Sequence, residues 1–387
     1  MQPRSSSFPT EEHHARLARA RQMLKANGFE ACVMVAPENV YYFGGYETWV
    51  GVNSPQFMIF TADDSSPTLV LRNVDLHLAT ETSWVSDVRT YHLHTDSVAE
   101  LVDKVLTEKG SNGGRIAMET QSYALPFALG RHLADVLAPR EIVDATELLG
   151  DLRLIKSPAE IAKIEEGARH AATGLQELYR VCRAGMTEIE LAAAIEGAMR
   201  QAGSDYWAIP TELASGWRTP GGHATPRAKV IEPGDLLHVE FAGVSARYHA
   251  TVLQTLAMGE PGARVRELYA IALDSLRAGI AAVRPGVPVS AVEEASLVPL
   301  RKAGIEHTAM MRFGYGIGIA YPPVWLETLQ ISRGFERRLE KDMVFVLHSC
   351  IELPEEGIGI VQGATYHLKE NDLRMLTGAG DAGLLVL

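Results

Sequence analysis

A helix-start signal at Ser157-Pro-Ala-Glu160 divides the chain into two parts with different patterns. The serine can cap a helix, the proline suits the first helical position, and the glutamate can bond back to the cap. Short β-type runs alternate with helices before this signal, whereas long helices and paired strands follow it. A length of 387 residues also suits about two domains. We predict one domain over residues 1–155 and a second over residues 156–387.

The first part alternates helical and β-type segments. A capped amphipathic stripe predicts the first helix, and Gly28 ends it. The runs that follow predict an α/β domain. The predicted helices are Thr10–Asn27 and Val98–Lys109, and the predicted strands are Ala31–Ala36, Phe57–Phe60, Thr68–Leu71 and Arg115–Met118.

The second part repeats the capping pattern and adds pairs of strands. Thr187 with Glu190 and Ser290 with Glu293 predict helices that begin near residues 188 and 291. A further helix is expected over 263–283. The strand pairs are Leu236–Phe241 with Val252–Met258, and Met343–Leu347 with Ile358–Val361. Helices grouped around an antiparallel sheet make the predicted fold class α+β.

Composition excludes several classes of protein. Hydrophobic residues make up 47% and charged residues 22%, which is ordinary for a globular chain and unlike a disordered or fibrous one. The net charge of −12 opposes binding to a nucleic-acid backbone. No apolar run is long enough to cross a membrane, and the start lacks the apolar core of a signal peptide. We expect a cytoplasmic protein with neither a nucleic-acid nor a membrane partner.

The three cysteines lie far apart and form no CxxC pair. Each lies in an apolar stretch, so we expect small buried side chains. Cys350 is the one candidate for a catalytic thiol, because His348 lies two residues before it on a predicted strand.

Several spaced motifs resemble the creatinase/prolidase/methionine aminopeptidase superfamily. They occur in the family's order: Pro37-Glu-Asn-Val-Tyr-Tyr-Phe-Gly-Gly45, Lys156-Ser-Pro-Ala-Glu-Ile161, His223 with Gly234-Asp235, Val239-Glu-Phe-Ala-Gly243, Gly314-Tyr-Gly-Ile-Gly318, Met343-Val-Phe345 and Leu376-Thr377. The resemblance implies a creatinase-like N-terminal domain followed by a catalytic domain of the pita-bread fold.

The resemblance also implies where metal ligands would lie. Metallopeptidases of this family hold two divalent ions with two Asp, one His and two Glu. The matching positions here are Glu240, Thr251, Tyr315, His348 and Gly363. Only the glutamate and the histidine could ligate a metal, since threonine and glycine offer no anionic donor and a phenol is a poor ligand. We therefore predict no metal and no cofactor.

His223 matches the proton-shuttling histidine of the family's metal-free creatinase. A neutral imidazole near pH 7 can accept a proton and return it. Glu240 would hold a cationic substrate nitrogen, take a proton or form a covalent adduct. Tyr315 and His348 would donate hydrogen bonds to an oxyanion. These four residues are the predicted catalytic set.

Two aromatic segments resemble the ectoine hydrolase-like branch of the family, many of whose members are labelled Xaa-Pro dipeptidase. Arg247-Tyr-His-Ala250 and Gly314–Trp325 are expected to line a pocket for a small planar or cationic substrate. The predicted substrate contacts are Tyr248, His249, Tyr321, Trp325 and Trp49. The positions with which creatinase reads creatine hold Leu253, His348, Val50 and Val52, which makes creatine a poor substrate.

Three arginines are alternative candidates to bind a substrate carboxylate: Arg72, Arg218 and Arg312. Their spacing in the sequence does not favour one of them over the others. Relatives of this architecture are homodimers in which one subunit's N-terminal domain closes over the other's pocket. By this resemblance we expect a homodimer in which Trp49 and Arg72 reach across to the partner's pocket.

The first functional hypothesis is a metal-independent hydrolase that breaks a C–N bond in a small amide, amidine or cyclic amidine. The alternatives are a metal-dependent Xaa-Pro dipeptidase, a lyase acting on a betaine-like metabolite, and a binding protein without catalysis. All four hypotheses place the substrate in the same pocket, and they differ in the metal content and in the product that they predict.

Overall fold

The computed structural model describes residues 3–378 and 383–387. The chain forms two compact units, the first ending at Arg153 and the second beginning at Leu154. The predicted boundary, between residues 155 and 156, lies two residues beyond this division. Among the described residues no helix is both long and apolar enough to span a bilayer.

The first unit contains a mixed six-stranded sheet in the order β4-β3-β2-β1-β5-β6. The antiparallel pairs are β1–β2 and β2–β3, and the other neighbours are parallel. Its strands are β1 Ala31–Met34, β2 Phe57–Thr61, β3 Thr68–Arg72, β4 Asp87–Tyr91, β5 Arg115–Met118 and β6 Glu141–Asp144. Its helices are α1 Thr10–Ala26, α2 Pro37–Gly44, α3 Leu76–Thr82, α4 Val98–Glu108, α5 Phe127–Leu137 and α6 Thr146–Asp151.

The second unit is built on a nine-stranded sheet whose main path runs β11-β10-β12-β13-β9-β8-β7. β14 pairs with β13, and β15 pairs with β9 in parallel. The strands are β7 Glu212–Ser215, β8 Leu236–Ser245, β9 Tyr248–Ala257, β10 Gly314–Tyr321, β11 Val324–Ile331, β12 Val344–Leu353, β13 Ile358–Leu368, β14 Leu373–Met375 and β15 Leu385–Val386. The helices are α7 Pro158–Val181, α8 Glu188–Gln201, α9 Ala263–Ala282 and α10 Val289–Lys302.

Two of the three predicted capping boxes form. The Ser157 hydroxyl accepts the backbone N–H of Glu160 at 3.3 Å, whose carboxylate accepts the Ser157 N–H at 3.0 Å. The box at Thr187 also forms. The capping box predicted at Ser290 is wrong, because α10 begins at Val289, two residues before the predicted start, and the Glu293 carboxylate instead accepts the backbone N–H of Arg333.

The hairpin β8–β9 lies between β13 and the edge strand β7 and is longer than its sequence pattern predicts. Its strands meet at Ala246 and Arg247, which have φ of 48° and 65°. The buried Arg247 guanidinium stabilises this turn, donating to the Ala320 carbonyl at 2.9 Å and lying 3.7 Å from the centre of the Tyr206 ring. Contacts from another strand therefore hold a backbone shape that local propensity does not favour.

Helix α7 lies close against this hairpin because two glycines face each other. A Cβ added at Gly243 would lie 2.1 Å from the Gly167 carbonyl oxygen, so no larger residue fits there. Helices α7 and α8 pack on β8 and β9 around one apolar cluster, while α9 and α10 cover the side of β12 and β13. The sheet is thereby fixed in place, and its strands present polar side chains to a cavity.

Candidate active site

A cavity of about 250 Å³ lies within the second unit, and strands β7 to β13 all contribute to its wall. Six predicted site residues line it together: His223, Glu240, Arg312, Tyr315, Trp325 and His348. The rest of the lining is Ile209, Glu212, His238, Leu253, Met310, Met311, Leu326 and Val361. Residues more than 100 positions apart in sequence are thus brought to one space.

A chain of hydrogen bonds runs along one wall of the cavity. The Trp325 indole N–H donates to the Tyr315 hydroxyl at 3.1 Å, and this hydroxyl donates to Glu240 Oε1 at 3.1 Å. Burial raises the pKa of Tyr315 well above its ordinary value, so the phenol keeps its proton. This corrects the expected role of Tyr315, because its hydrogen bond serves Glu240 rather than an oxyanion.

The sequence did not indicate two further residues of the cavity wall, Glu212 and His238. Strand β7 pairs with β8 so that Glu212 lies opposite Glu240, and His238 lies two residues before Glu240 on the same face of β8. One ligand-type atom from each of the three lies within 4.8 Å of the others. We call Glu212, His238 and Glu240 the acid–imidazole cluster.

The electrostatics of this cluster follow from burial. Desolvation raises the pKa of both carboxyls, the charge of Glu240 raises that of Glu212 further, and the Tyr315 hydrogen bond opposes the shift at Glu240. Burial and the neighbouring His223 lower the pKa of His238 to about 4. The imidazole is therefore neutral at pH 7.

The cluster is also poorly satisfied within the described chain. Three atoms of the cluster have no hydrogen-bond partner among the described residues. They are the two ring nitrogens of His238 and the Oε2 atom of Glu212. His238 is 2% exposed and Glu212 is 6% exposed. A buried polar group left without a partner costs about 1–3 kcal/mol. These atoms are therefore available for contacts with water or with a bound molecule.

His223 lies in the loop that follows β7, where it lines the cavity and is solvent-exposed. Beside this loop lies Glu352 of β12, which is 5% exposed and has no partner for either carboxylate oxygen among the described residues. A Cβ added at Gly222 would lie 3.6 Å from Glu352 Oε1. Burial raises the pKa of Glu352 to about 7. Solvent thus reaches the imidazole from one side, and a buried acid lies near its loop.

His348 and Cys350 do contact each other, with 3.2 Å between Nδ1 and Sγ. Burial raises the pKa of the thiol well above its ordinary value and lowers the pKa of His348 to about 4. The thiol therefore stays protonated and donates to Nδ1, which leaves the ring's own hydrogen on Nε2. A catalytic thiolate at Cys350 does not fit these surroundings.

Two predicted substrate contacts on β9 lie outside the cavity lining, which corrects their expected role. The Tyr248 hydroxyl donates to Glu160 Oε1 at 2.8 Å. The fully buried His249 accepts the Ala208 N–H on Nε2 at 3.0 Å. Both side chains thus form hydrogen bonds that join β9 to neighbouring segments, namely helix α7 and the segment that contains Ala208.

Tyr321 and Arg218 also lie outside the lining. The Tyr321 ring is 4.8 Å from the Arg247 guanidinium, and the Arg218 guanidinium forms a buried ion pair with Glu188. Arg312 is therefore the arginine of the second unit that lines the cavity, and its Nη1 donates to Gln330.

Trp49 and Arg72 belong to the first unit. The Trp49 side chain is 68% exposed, and Arg72 donates to the Ser54 hydroxyl at 3.1 Å. Their reach into a partner subunit's pocket stays a prediction.

The positions that the resemblance assigns to metal ligands can be compared with the donors that two ions would need. The Thr251 hydroxyl lies 3.3 Å from that of Thr365, and the Tyr315 hydroxyl is bonded to Glu240. A Cβ added at Gly363 would lie 2.5 Å from the Cβ of His348, so a carboxylate side chain has no room there. The residue types and the packing thus both oppose a dinuclear centre at these positions.

Comparison with known proteins matches both units. Residues 16–155 match the creatinase/prolidase N-terminal domain, and residues 162–370 match metallopeptidase family M24. The chain is 26% identical over 380 residues to the ectoine hydrolase of Halomonas elongata, with 92% of this chain and 94% of that protein covered. It is 25% identical over 362 residues to the Xaa-Pro dipeptidase of Pyrococcus furiosus, with 94% and 97% covered.

A solved structure, the dipeptidase PepE of Mycobacterium ulcerans, superposes with a TM-score of 0.85 at 25% identity, covering 98% of this chain and 99% of that one. The creatinase-type N-terminal domain and the pita-bread catalytic domain expected from the sequence are both confirmed. The chain belongs to metallopeptidase family M24, a family of hydrolases that act on C–N bonds.

Proposed function

We propose that this protein hydrolyses a C–N bond in a small amide, amidine or cyclic amidine, and that it does so without a metal. One observation carries the proposal. By the family resemblance, Thr251, Tyr315 and Gly363 match positions of metal ligands in the metallopeptidases, while His223 and Glu240 line one cavity. This combination supports an acid–base reaction that does not use the family's two-metal centre.

His223 is the proposed general base and general acid. Its exposed position at the cavity lets water approach the imidazole. The ring would take a proton from attacking water and return it to the leaving nitrogen, so one group serves both steps. A positioned acid or base of this kind contributes typically ~10²–10⁴-fold to the rate.

Glu240 is the proposed anchor for a cationic or hydrogen-bearing substrate nitrogen. Tyr315 holds its Oε1 atom, so the carboxylate is fixed before substrate arrives. His348 would donate from Nε2 to the oxygen that becomes negative, since its Nδ1 is occupied by the Cys350 thiol. The cavity of about 250 Å³ suits a small metabolite better than a peptide.

The substrate class draws support from the ectoine hydrolase relative, whose name describes hydrolysis of a cyclic amidine. The Xaa-Pro dipeptidase relatives support the alternative of metal-dependent cleavage of a dipeptide. A substrate panel of cyclic amidines, N-acyl amino acids and Xaa-Pro dipeptides separates these two functions. The proposal expects turnover of an amidine or amide by protein treated with a chelator.

The variant that tests the acid–base role is His223→Ala, and His307→Ala is its control because His307 is also an exposed histidine of the second unit. We expect His223→Ala to lose at least ~10²-fold in kcat and the control to keep wild-type turnover. Equal turnover in the two variants would remove His223 from the reaction.

We also propose a cytoplasmic homodimer in which the partner's first unit completes the pocket through Trp49 and Arg72. The high exposure of the Trp49 indole supports this role, since a large apolar ring in solvent suits a contact with another molecule. Sedimentation velocity gives the oligomeric state. Trp49→Ala should raise KM in a dimer of this kind, and an unchanged KM would contradict it.

A further inference from the structure

The acid–imidazole cluster has the donors of a metal site, at positions different from those of the family's two-metal centre. We propose that Glu212, His238 and Glu240 together bind one divalent first-row transition cation. Glu240 alone coincides with a position of the family's ligand set, and Glu212 and His238 lie outside it. The proposed site is therefore a separate, single-ion site.

The strand geometry holds the three donors on one face. Glu212 of β7 is the cross-strand partner of Glu240, and His238 precedes Glu240 by one strand repeat on β8. The three donor atoms lie within 4.8 Å of one another. Ligand atoms around a Zn²⁺ ion lie about 2.0–2.2 Å from the metal. Small side-chain rotations would therefore bring these donors onto one ion without moving the strands.

The unmet hydrogen-bonding capacity of the cluster is the second observation. Both nitrogens of the buried His238 ring and Oε2 of Glu212 have no partner among the described residues. A buried neutral imidazole with a free nitrogen is a common metal ligand, and a bound divalent cation would compensate the charge of the two neighbouring carboxylates when they lose their protons. Arg312, the one cationic side chain of the described lining, donates to Gln330.

The donor set indicates the class of ion. One imidazole and two carboxylates suit Mn²⁺, Fe²⁺, Co²⁺ or Zn²⁺ better than Ca²⁺ or Mg²⁺, which prefer oxygen ligands alone. Three protein ligands leave coordination positions open towards the cavity, where water or a substrate atom could bind.

One consequence rests on the proposed function. A cation at this site would occupy Glu240, which the proposed reaction needs as its substrate anchor, so added cation should inhibit turnover. Binding of the cation does not depend on the reaction, and the two are therefore tested separately.

The test uses Co²⁺ titrated into the full-length protein after chelation, followed by calorimetry and by the visible absorption of bound Co²⁺. We expect one Co²⁺ per chain, and an affinity at least ~10-fold lower in both His238→Gln and Glu212→Gln. His307→Gln, an exposed histidine outside the cluster, should bind like the wild type. Glutamine is close in size to both side chains, and circular dichroism checks the fold of each variant.

Three results would overturn the site: no Co²⁺ binding, two ions per chain, or binding that neither cluster variant weakens. Turnover of the chelated wild type is measured in parallel. If Co²⁺ binds as expected but activates rather than inhibits, the metal-independent reaction is wrong and the site stands. If chelated protein turns over but binds no Co²⁺, the site is wrong and the reaction stands.

Discussion

Two buried acidic sites, one in each unit, differ in how their oxygens are used. In the first unit Glu119 is 1% exposed, and its Oε2 atom accepts the backbone N–H groups of Val35 and Ala36 at 2.7 and 2.8 Å. Its Oε1 atom accepts the Asn39 side-chain amide. In the second unit Glu212 has an oxygen with no partner among the described residues.

The difference separates a structural carboxyl from a functional one. Glu119 follows β5 and joins the end of that strand to the start of α2, so its burial is compensated by hydrogen bonds within the fold. In the acid–imidazole cluster, the His238 ring and Glu212 Oε2 have no hydrogen-bond partner within the described part of the chain, and all three side chains line a cavity. The number of hydrogen bonds that the carboxylate oxygens accept within the fold therefore distinguishes the two kinds of buried acid better than burial or pKa does.

The largest expected effect is on turnover. Glu240→Gln keeps the shape of the side chain and removes its charge, so we expect a loss of ~10²–10³-fold, equivalent to about 2.7–4 kcal/mol of transition-state stabilisation. Glu119→Gln should leave kcat unchanged. Steady-state kinetics of both variants on one substrate checks this, and an equal loss in the two would erase the distinction between the sites.

For the free energy of unfolding we expect the reverse order, with the larger loss at the Glu119 site of the first unit. Glu119→Ala leaves two backbone N–H groups and the Asn39 amide without their acceptor, and we expect about 2–4 kcal/mol lower free energy of unfolding. Glu212→Leu removes a carboxyl that is repelled by Glu240 and should be neutral or stabilising. Urea unfolding measures both. A Glu212→Leu protein as destabilised as Glu119→Ala would show that the cluster is structural.

A smaller effect is expected at the hydrogen bond that fixes Glu240. Tyr315→Phe removes the donor to Oε1 and should lower kcat by about 10-fold, less than Glu240→Gln does. Tyr179→Phe is the matched control, because the Tyr179 hydroxyl donates to Gln254 outside the cavity lining. If the two phenylalanine variants lose activity equally, the Trp325–Tyr315–Glu240 chain has no catalytic role.

The last effect concerns the pH dependence of stability. Burial, and then the charge of Glu38, raise the pKa of Glu119 from 4.5 to about 7. The folded state then holds this proton more tightly than the unfolded state, so the stability that Glu119 contributes is greatest below about pH 4.5 and is lost as pH rises towards 7. Glu119→Gln should remove this slope, which amounts to roughly 2–3 kcal/mol between pH 5 and pH 8. Unfolding curves at pH 5 and pH 8 compare the two proteins, and parallel slopes would contradict the shift.

Much of the fold could be predicted because its signals are local. The capping boxes at Ser157 and Thr187 and the strand Arg115–Met118 each depend on a few adjacent residues. The failure at Ser290 has a distant cause, since Glu293 binds Arg333 some 40 residues away. The length of the hairpin β8–β9 likewise depends on Arg247 and its tertiary contacts.

The four residues that matched family motifs, His223, Glu240, Tyr315 and His348, line one cavity, and their catalytic roles stay predictions. Glu212 gave no such signal, because its strand has only four residues and its partner is fixed by sheet pairing. The aromatic residues on β9 and β10 misled the prediction, since residue type does not tell which face of a strand meets the cavity. Alternation along β8 would have found His238 once Glu240 was accepted.

Turnover by metal-stripped protein is the most direct test of the account. Chelated and dialysed wild type, verified by elemental analysis, is assayed beside His223→Ala on a small amide or amidine substrate. We expect full turnover by the metal-stripped wild type and a kcat at least ~10²-fold lower in His223→Ala. A stripped wild type that is inactive until Mn²⁺ or Co²⁺ is restored, with His223→Ala equally restored, would contradict it.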